Sequence, residues 1–486
     1  MIGRNYTFKI NQPKKDETKK RETIKKIFSS VLENSTIHGL SNIIKNDLIS
    51  IRSMWILCFL LFSSICCYMM SHTIQEYIKF EVVSRVDVKY ENEIVFPMIT
   101  ICRDNPFSTD FSTKILTRNL ERNGFNISEY NFDGSLSSLK LKFIAKKNNA
   151  LLSAANTPEN ERRKFGQYVN EIIISCLFNL QECDLDNDFE DYYDYYFGYC
   201  FRFNMGKLIG NIRQPIKYSS QAGQINGLQL ELFIGAANEN NRFFSIESGI
   251  AIFIHSQTDI PYNLQGIKIS TGTSTYISLE KNTITQIPYP FSDCTENLSD
   301  KSAYNSDLYH KMIDSNKTYM QTNCKFMCYQ KYLGEQCGCQ LYVYKYFPNM
   351  QPCLTINQTN CQSEKRTYFL KNNFFAKCDC PLECEKTLYD YSFSFSEYPT
   401  RYYANLLMKH PSIMSRFPNQ SQISYQDLKS RIASVNIYYD ELKETFITQE
   451  KKLMFHDLVS NLGGTLGLFL GLLILFSFNN AKYALI

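Results

Sequence analysis

Two stretches of this chain run without a single charged residue. Between Arg52 and Glu76 it reads SMWILCFLLFSSICCYMMSHTIQ; between Asp457 and Lys482 the window Leu458–Ala481 is centred on LGGTLGLFLGLLILFSF. A helix of about twenty residues spans roughly 30 Å, the thickness of a bilayer's hydrocarbon core. The pattern predicts membrane helices over residues 53–75 and 456–479. A signal peptide ends in a small-residue cleavage site, and the first stretch has no such exit. Between the two spans the periodicity changes. Val82–Val95 alternates loosely and reads as a strand leading to Phe96-Pro97, while Asn170–Phe178 reads as a helical patch. Residues 182–196, ECDLDNDFEDYYDYY, read as an acidic, solvated loop. GYCFRF, GLQLELFI, GIAIFIH and TYISLE follow as strands bounded by Gly, Pro and Asn. Helical stretches lie among the cysteines of residues 300–390, and Asn436–Tyr439 is a short last strand. No internal repeat or Gly/Ser linker divides this region, so it reads as one α+β domain.

Charge orients the spans. Residues 1–52 hold eleven Lys/Arg against five acids, and basic residues before a span keep that end in the cytoplasm. The expected layout is a cytoplasmic N-terminus (1–52), a domain outside the plasma membrane (76–455) and a short cytoplasmic tail (480–486). The net charge of +4 comes with no aromatic-interleaved basic groove, so no nucleic-acid partner is expected. Of seventeen cysteines, Cys58, Cys66 and Cys67 fall in the first span as small apolar residues. The other fourteen lie between the spans, an even number that suits disulfides in an oxidising compartment. Zinc at Cys324, Cys328, Cys337 and Cys339 would lack a nearby His. Sequons at Asn126, Asn297, Asn316, Asn357 and Asn419 are candidate glycosylation sites in the same region. There is no HExxH, GxSxG or P-loop, and His255-Ser256 has no visible partners, so neither an enzyme nor a cofactor is expected.

Several motifs together resemble the epithelial sodium channel/degenerin family, amiloride-sensitive channels that include acid-sensing and peptide-gated members. His38-Gly39 looks like its cytoplasmic His-Gly pair, and Trp55 matches the aromatic that opens the first span. FPMITIC (Phe96–Cys102), GYCFRFN (Gly198–Asn204) and IPYPFSDC (Ile287–Cys294) resemble elements of its palm and thumb entry. Cys324-x3-Cys328, Cys337-x-Cys339 and Cys378-x-Cys380-x3-Cys384 resemble the thumb signature, and SNLGGTLGLFLG (Ser460–Gly471) the pore-helix entry. A purinergic-type receptor also has two spans but lacks these motifs. The resemblance implies an α+β membrane protein: two transmembrane helices flank a disulfide-rich extracellular domain of palm, finger and thumb, assembled as a homo- or hetero-trimer. It also implies the bridges Cys102–Cys200, Cys176–Cys183, Cys294–Cys384, Cys324–Cys380, Cys328–Cys378, Cys337–Cys361 and Cys339–Cys353.

The function implied is a channel for sodium or other monovalent cations. Gly463, Gly467 and Gly471 share one helix face of the kind that lets membrane helices approach closely. In the family the residue matching Gly471 begins a Gly-x-Ser belt, where the helix breaks and carbonyls face the ion. This chain departs from that belt: it reads Gly471-Leu472-Leu473, with Asn479 and Lys482 where acids are usual. A filter without its carboxylates predicts weak sodium selectivity. A non-conducting subunit or surface receptor of the same fold is the alternative. His38, Gly39, Phe80 and Phe291 match gating positions, the last two an aromatic pair joining thumb to membrane helix. Glu81 and Val82 stand where acid-sensing members carry a His pair, so familiar proton gating is not expected. An extracellular peptide ligand, mechanical force and constitutive opening stay open.

Overall fold

The computed structural model describes residues 48–483 and a few isolated positions nearer the N-terminus. Excepted are 126–135, 195, 207, 210–211, 214, 236–244, 258–265, 315–318, 342–346, 348–349 and 418–422; for 138, 208–209, 212–213 and 470–483 it describes the backbone alone. His38 and Gly39 lie outside the described residues, as do Asn126, Asn316 and Asn419. The chain forms two compact units, Met1–Val83 with Glu450–Ile486, and Ser84–Gln449.

In the first unit α1 runs over Ile49–Ile78. Among the described residues it is the one helix long and apolar enough to cross a membrane. Three of its hydroxyls are satisfied inside the helix: Ser53, Ser64 and Thr73 each donate to the carbonyl four residues back, at 2.7–3.0 Å. Unpaired polar groups are costly in hydrocarbon, so this self-bonding suits a lipid-exposed helix.

The second unit is built from β1 (Val82–Tyr90), β2 (Met98–Arg103), helices α2 (Asp110–Arg122) and α3 (Leu136–Ala155), β3 (Ile173–Phe178), β4 (Phe189–Asp194) and β5 (Gly198–Phe203). After these come β6 (Leu228–Phe233), β7 (Gly249–His255), β8 (Ile267–Ser270) and β9 (Thr273–Thr285). Helices α4 (Gln321–Cys337) and α5 (Ile356–Lys371) precede β10 (Glu385–Glu397) and β11 (Ile432–Lys451). One sheet has the order β8-β7-β2-β5-β4; the other runs β10-β9-β11-β6-β3, with β1 also on β11. Their facing apolar residues form one core: Ile99, Ile101, Phe201, Phe203, Ile250 and Ile252 from the first sheet meet Leu228, Leu230, Ile277, Leu279, Val435 and Ile437 from the second. Burial on β6 alternates, Leu228, Leu230 and Leu232 in and Gln229 and Glu231 half-exposed, as a strand with one core face requires.

The GYCFRFN segment has a backbone reason for each end. Gly198 sits at φ +71° and a Cβ there would lie 2.8 Å from Pro106 Cβ. Asn204, at φ +60°, is buried; its amide donates to the Phe96 carbonyl at 2.5 Å and its oxygen accepts the Lys217 N–H at 2.6 Å.

Three expectations need correction. Asn170–Phe178 is a single helical turn, Val169–Ile172, followed by strand β3, because the β-branched Ile173 and then Ser175–Phe178 pair across to β6, with Ile174 at a bulge between them. The acidic stretch is a loop only at its start; Phe189–Asp194 is β4, paired in register with β5. Cations screen its charge: Arg202 lies 3.3 Å over the Tyr192 ring, and Arg163 reaches Asp191 at 2.7 Å. Asn436–Tyr439 is one piece of the 20-residue β11. β11 lies parallel to β9, and its Asp440–Lys443 stand opposite the single Glu280, which steps the register from Leu279↔Tyr439 to Lys281↔Glu444. Below the step Lys281 Nζ meets Glu444 at 2.9 Å and the Thr283 hydroxyl donates to the same carboxylate at 2.7 Å.

Asp194 ends β4 by accepting the N–H groups of Tyr196 and Phe197 at 2.8 and 2.9 Å. Burial pushes its carboxyl above the ordinary value, against the pull of those N–H groups and Arg202. A raised folded pKa favours the fold below it and penalises folding as the pH rises through it. Asp194→Asn keeps an acceptor for both N–H groups, so its melting temperature should exceed the parent's at neutral pH. Thermal unfolding across pH should show that gain shrinking in acid; a pH-independent gain refutes the burial account.

The seven disulfides all lie in this unit: Cys102–Cys200, Cys176–Cys183, Cys294–Cys384, Cys324–Cys380, Cys328–Cys378, Cys337–Cys361 and Cys339–Cys353. The last five nest inside one another around α4 and α5. Tyr329, Leu333 and Phe369 pack beside them, which gives this polar helix pair a small core of its own. Among the sequons, Asn297 and Asn357 are exposed.

Candidate functional site

The last helix, α6 (Phe455–Tyr483), returns to the first unit. It starts with a local cap, the Met454 N–H donating to Asp457 Oδ2 at 3.0 Å. It packs on α1, with the Phe62 and Phe469 rings 6.4 Å apart, and Trp55 of α1 is buried at 5% exposure. Among the described residues, Gly463, Gly464 and Gly467 take no part in that packing. A Cβ built on Gly463, Gly464 or Gly467 meets nothing within 4 Å, so this face of α6 is bare in the single chain. Gly471, Leu472 and Leu473 lie further along α6, their side chains outside the described residues, as are those of Asn479 and Lys482. The backbone at Gly471 is helical. α6 is helical throughout Phe455–Tyr483, which leaves the carbonyls of this leucine-rich run bonded within the helix, as an apolar environment demands.

The exit from α1 is a second locus. Lys79 caps the helix, its N–H donating to the Gln75 carbonyl at 3.2 Å. Phe80 then turns the chain at φ +51°, its N–H donating to the Tyr77 carbonyl at 3.3 Å. A bulky residue in the left-handed region costs roughly 1–2 kcal/mol, which neighbouring contacts must offset. The next residue makes them. The Lys452 N–H donates to the Glu81 carbonyl at 3.0 Å, and Lys452 Nζ lies 2.7 Å from Glu81 Oε2. Lys452 accordingly holds the Glu81 carboxyl below the ordinary carboxylate range, and Glu81 holds the Lys452 ammonium above its own. Lys452 also comes within 4.0 Å of Glu76, which His72 approaches at 3.8 Å one helical turn earlier.

Phe291 belongs to the other unit. It is half-buried in a tight segment where its N–H donates to the Pro288 carbonyl at 3.1 Å and the Ser292 hydroxyl to that of Ile287 at 2.6 Å. The Ile287 N–H reaches Gln449 Oε1 at 3.4 Å, which fastens this segment to the end of β11. Sequence reasoning reached Phe80, Glu81 and Phe291 but missed Lys452. No local signal marks a lysine whose partner is 371 residues away.

The profile of the amiloride-sensitive sodium channel family matches residues 31–476. Acid-sensing ion channel 1 of Gallus gallus is 26% identical over 461 residues, which cover 91% of this chain and 80% of that protein. Degenerin mec-10 of Caenorhabditis elegans is 25% identical over 367 residues, 75% of this chain and 46% of that one. Among solved structures, a proton-activated chloride channel aligns over 89% of this chain and 97% of its own, at a TM-score of 0.32 and 7% identity.

Proposed function

The chain belongs to the amiloride-sensitive sodium channel family, a family of ion channels and not of enzymes, and from that membership we propose that it is one subunit of a trimeric cation channel in the plasma membrane. α6 of each subunit lines the pore, and the disulfide-rich unit lies outside, with palm, finger and thumb parts that gate it. The observation that carries the reading is the bare glycine face of α6. Glycines weaken an isolated helix and are favoured where another helix must come close. α1 does not use this face, so it is available to neighbouring subunits and the pore. Sodium or another monovalent cation is the permeant ion, and Phe80 with Phe291 relay movement of the outer unit to the membrane helices. Asn297 and Asn357, exposed in the folded chain, are the glycosylation sites this reading favours.

Leu473, Asn479 and Lys482 favour a second reading, a subunit that conducts only beside partners with an intact filter or serves as a non-conducting receptor. Two-electrode recording from oocytes expressing the chain alone separates the two. Exchange of sodium for a large organic cation, and addition of amiloride, should both reduce the current of a conducting homomer. In that background Leu473→Ser should raise the sodium-to-potassium permeability ratio. Silence despite surface expression excludes the homomer and directs the search to partner subunits.

A further inference from the structure

Lys452 stands at the entrance of α6 and makes three contacts toward the exit of α1. Its N–H holds the Glu81 carbonyl, and its ammonium lies between Glu81 and Glu76. Glu76 is on the last turn of α1, whereas Glu81 follows the left-handed turn at Phe80. One side chain thus engages both the helix and the residue beyond its strained turn. We propose that Glu81 and Lys452 tether the outer ends of the two membrane helices and hold them together in the resting state. Its consequence for current rests on the channel reading above; its geometry does not.

Each side chain of the pair is 43% exposed. A pair so open to water is screened by salt and adds little to overall stability. Its leverage is positional. A contact made in only one of two states shifts their populations by its differential interaction, however small a share of folding it represents. Lys79 and Lys451 adjoin the pair in sequence, and among the described residues the carboxylates placed against the Lys452 ammonium are Glu81 and Glu76.

The test uses the full chain in lipid nanodiscs. Spin labels are placed through non-natural amino acids at Ile78 and Phe455, exposed by 61% and 70%, which leaves the native cysteines untouched. Double electron–electron resonance then reads the distance distribution between helix ends. Glu81→Lys and Lys452→Glu should each widen it about twofold, and the swapped double variant should narrow it again. If Glu81→Lys does not fold, Glu81→Gln keeps the shape and the backbone bond and gives the same comparison. Unchanged widths in the single variants overturn the tether. So does a swap that stays wide, because the restraint then lies outside the charge pair. In oocytes the single variants should raise resting current about threefold. A distribution that widens while no variant, the parent included, carries current leaves the tether standing and removes the channel reading instead.

Discussion

Replacing Cys102 and Cys200 together by alanine is expected to destabilise the disulfide-rich unit by about 4–5 kcal/mol, from the loop-closure entropy of the unfolded chain. The bridge closes a 98-residue loop. Its cysteines face each other in register across β2 and β5, in the middle of the five-stranded sheet, at 1% and 0% exposure. Whole domains are stable by only about 5–15 kcal/mol, so the double variant should largely fail to reach the cell surface. Surface biotinylation and the melting temperature of the purified protein both report it. The bridge Cys176–Cys183 is an internal control: it closes only a 7-residue separation, and its loss should cost about 2–3 kcal/mol on the same entropic ground. Equal losses for the two bridges would show that native packing, and not loop closure, sets their contribution.

Gly467→Val is expected to leave surface delivery intact and to reduce current about tenfold or more, if copies of α6 pack through their glycines. Within one chain a Cβ at this position meets nothing within 4 Å, and valine is the better helix former of the two. Any harm must therefore come from a neighbouring helix or from the permeation path. Leu468→Val, at an adjacent position already 56% exposed, serves as the comparison. A Gly467→Val channel with parental current would mean that the bare face neither packs against another subunit nor lines the pore.

What could be read from the sequence follows the range of the interactions that set it. β6 and β7 declare themselves because their own residues alternate or run apolar against the core. β10 carries as clean an alternation, Tyr389-Asp390-Tyr391-Ser392-Phe393-Ser394-Phe395, which a period-two reading detects but the nearby cysteine pattern overshadows. β3 is ambiguous in principle, since a short apolar run fits a helix or a strand and only its pairing with β6 decides. β4 is illegible locally. Its carboxylates argue for a loop, and it becomes a strand through Arg163, 28 residues from Asp191, and Arg202 on the partner strand. α1 is legible from hydrophobic length alone, and the uncharged run after Asp457 likewise announces the helix α6. The bridge pairs are not, because fourteen cysteines leave connectivity open without a family to compare. Of the candidate site, Phe80 and Phe291 entered through resemblance, whereas the contact between Glu81 and Lys452 required the fold.

The nested bridges around α4 and α5 have a consequence for how the protein is made. Their separations grow outward, 14, 24, 50, 56 and 90 residues, and each encloses the one before. Once an inner rung is closed, the chain that the next must gather is shorter than its sequence separation, and its entropic cost falls accordingly. Oxidation from Cys339–Cys353 outward is therefore the path of least entropy loss. Cys294 leaves the ribosome first of this group yet pairs last on that path, and until Cys384 is in place its thiol has no native partner. Closure of this region is a zipper whose first tooth must wait for its last: any bridge that Cys294 forms before Cys384 is made has to be reopened before the native set is complete.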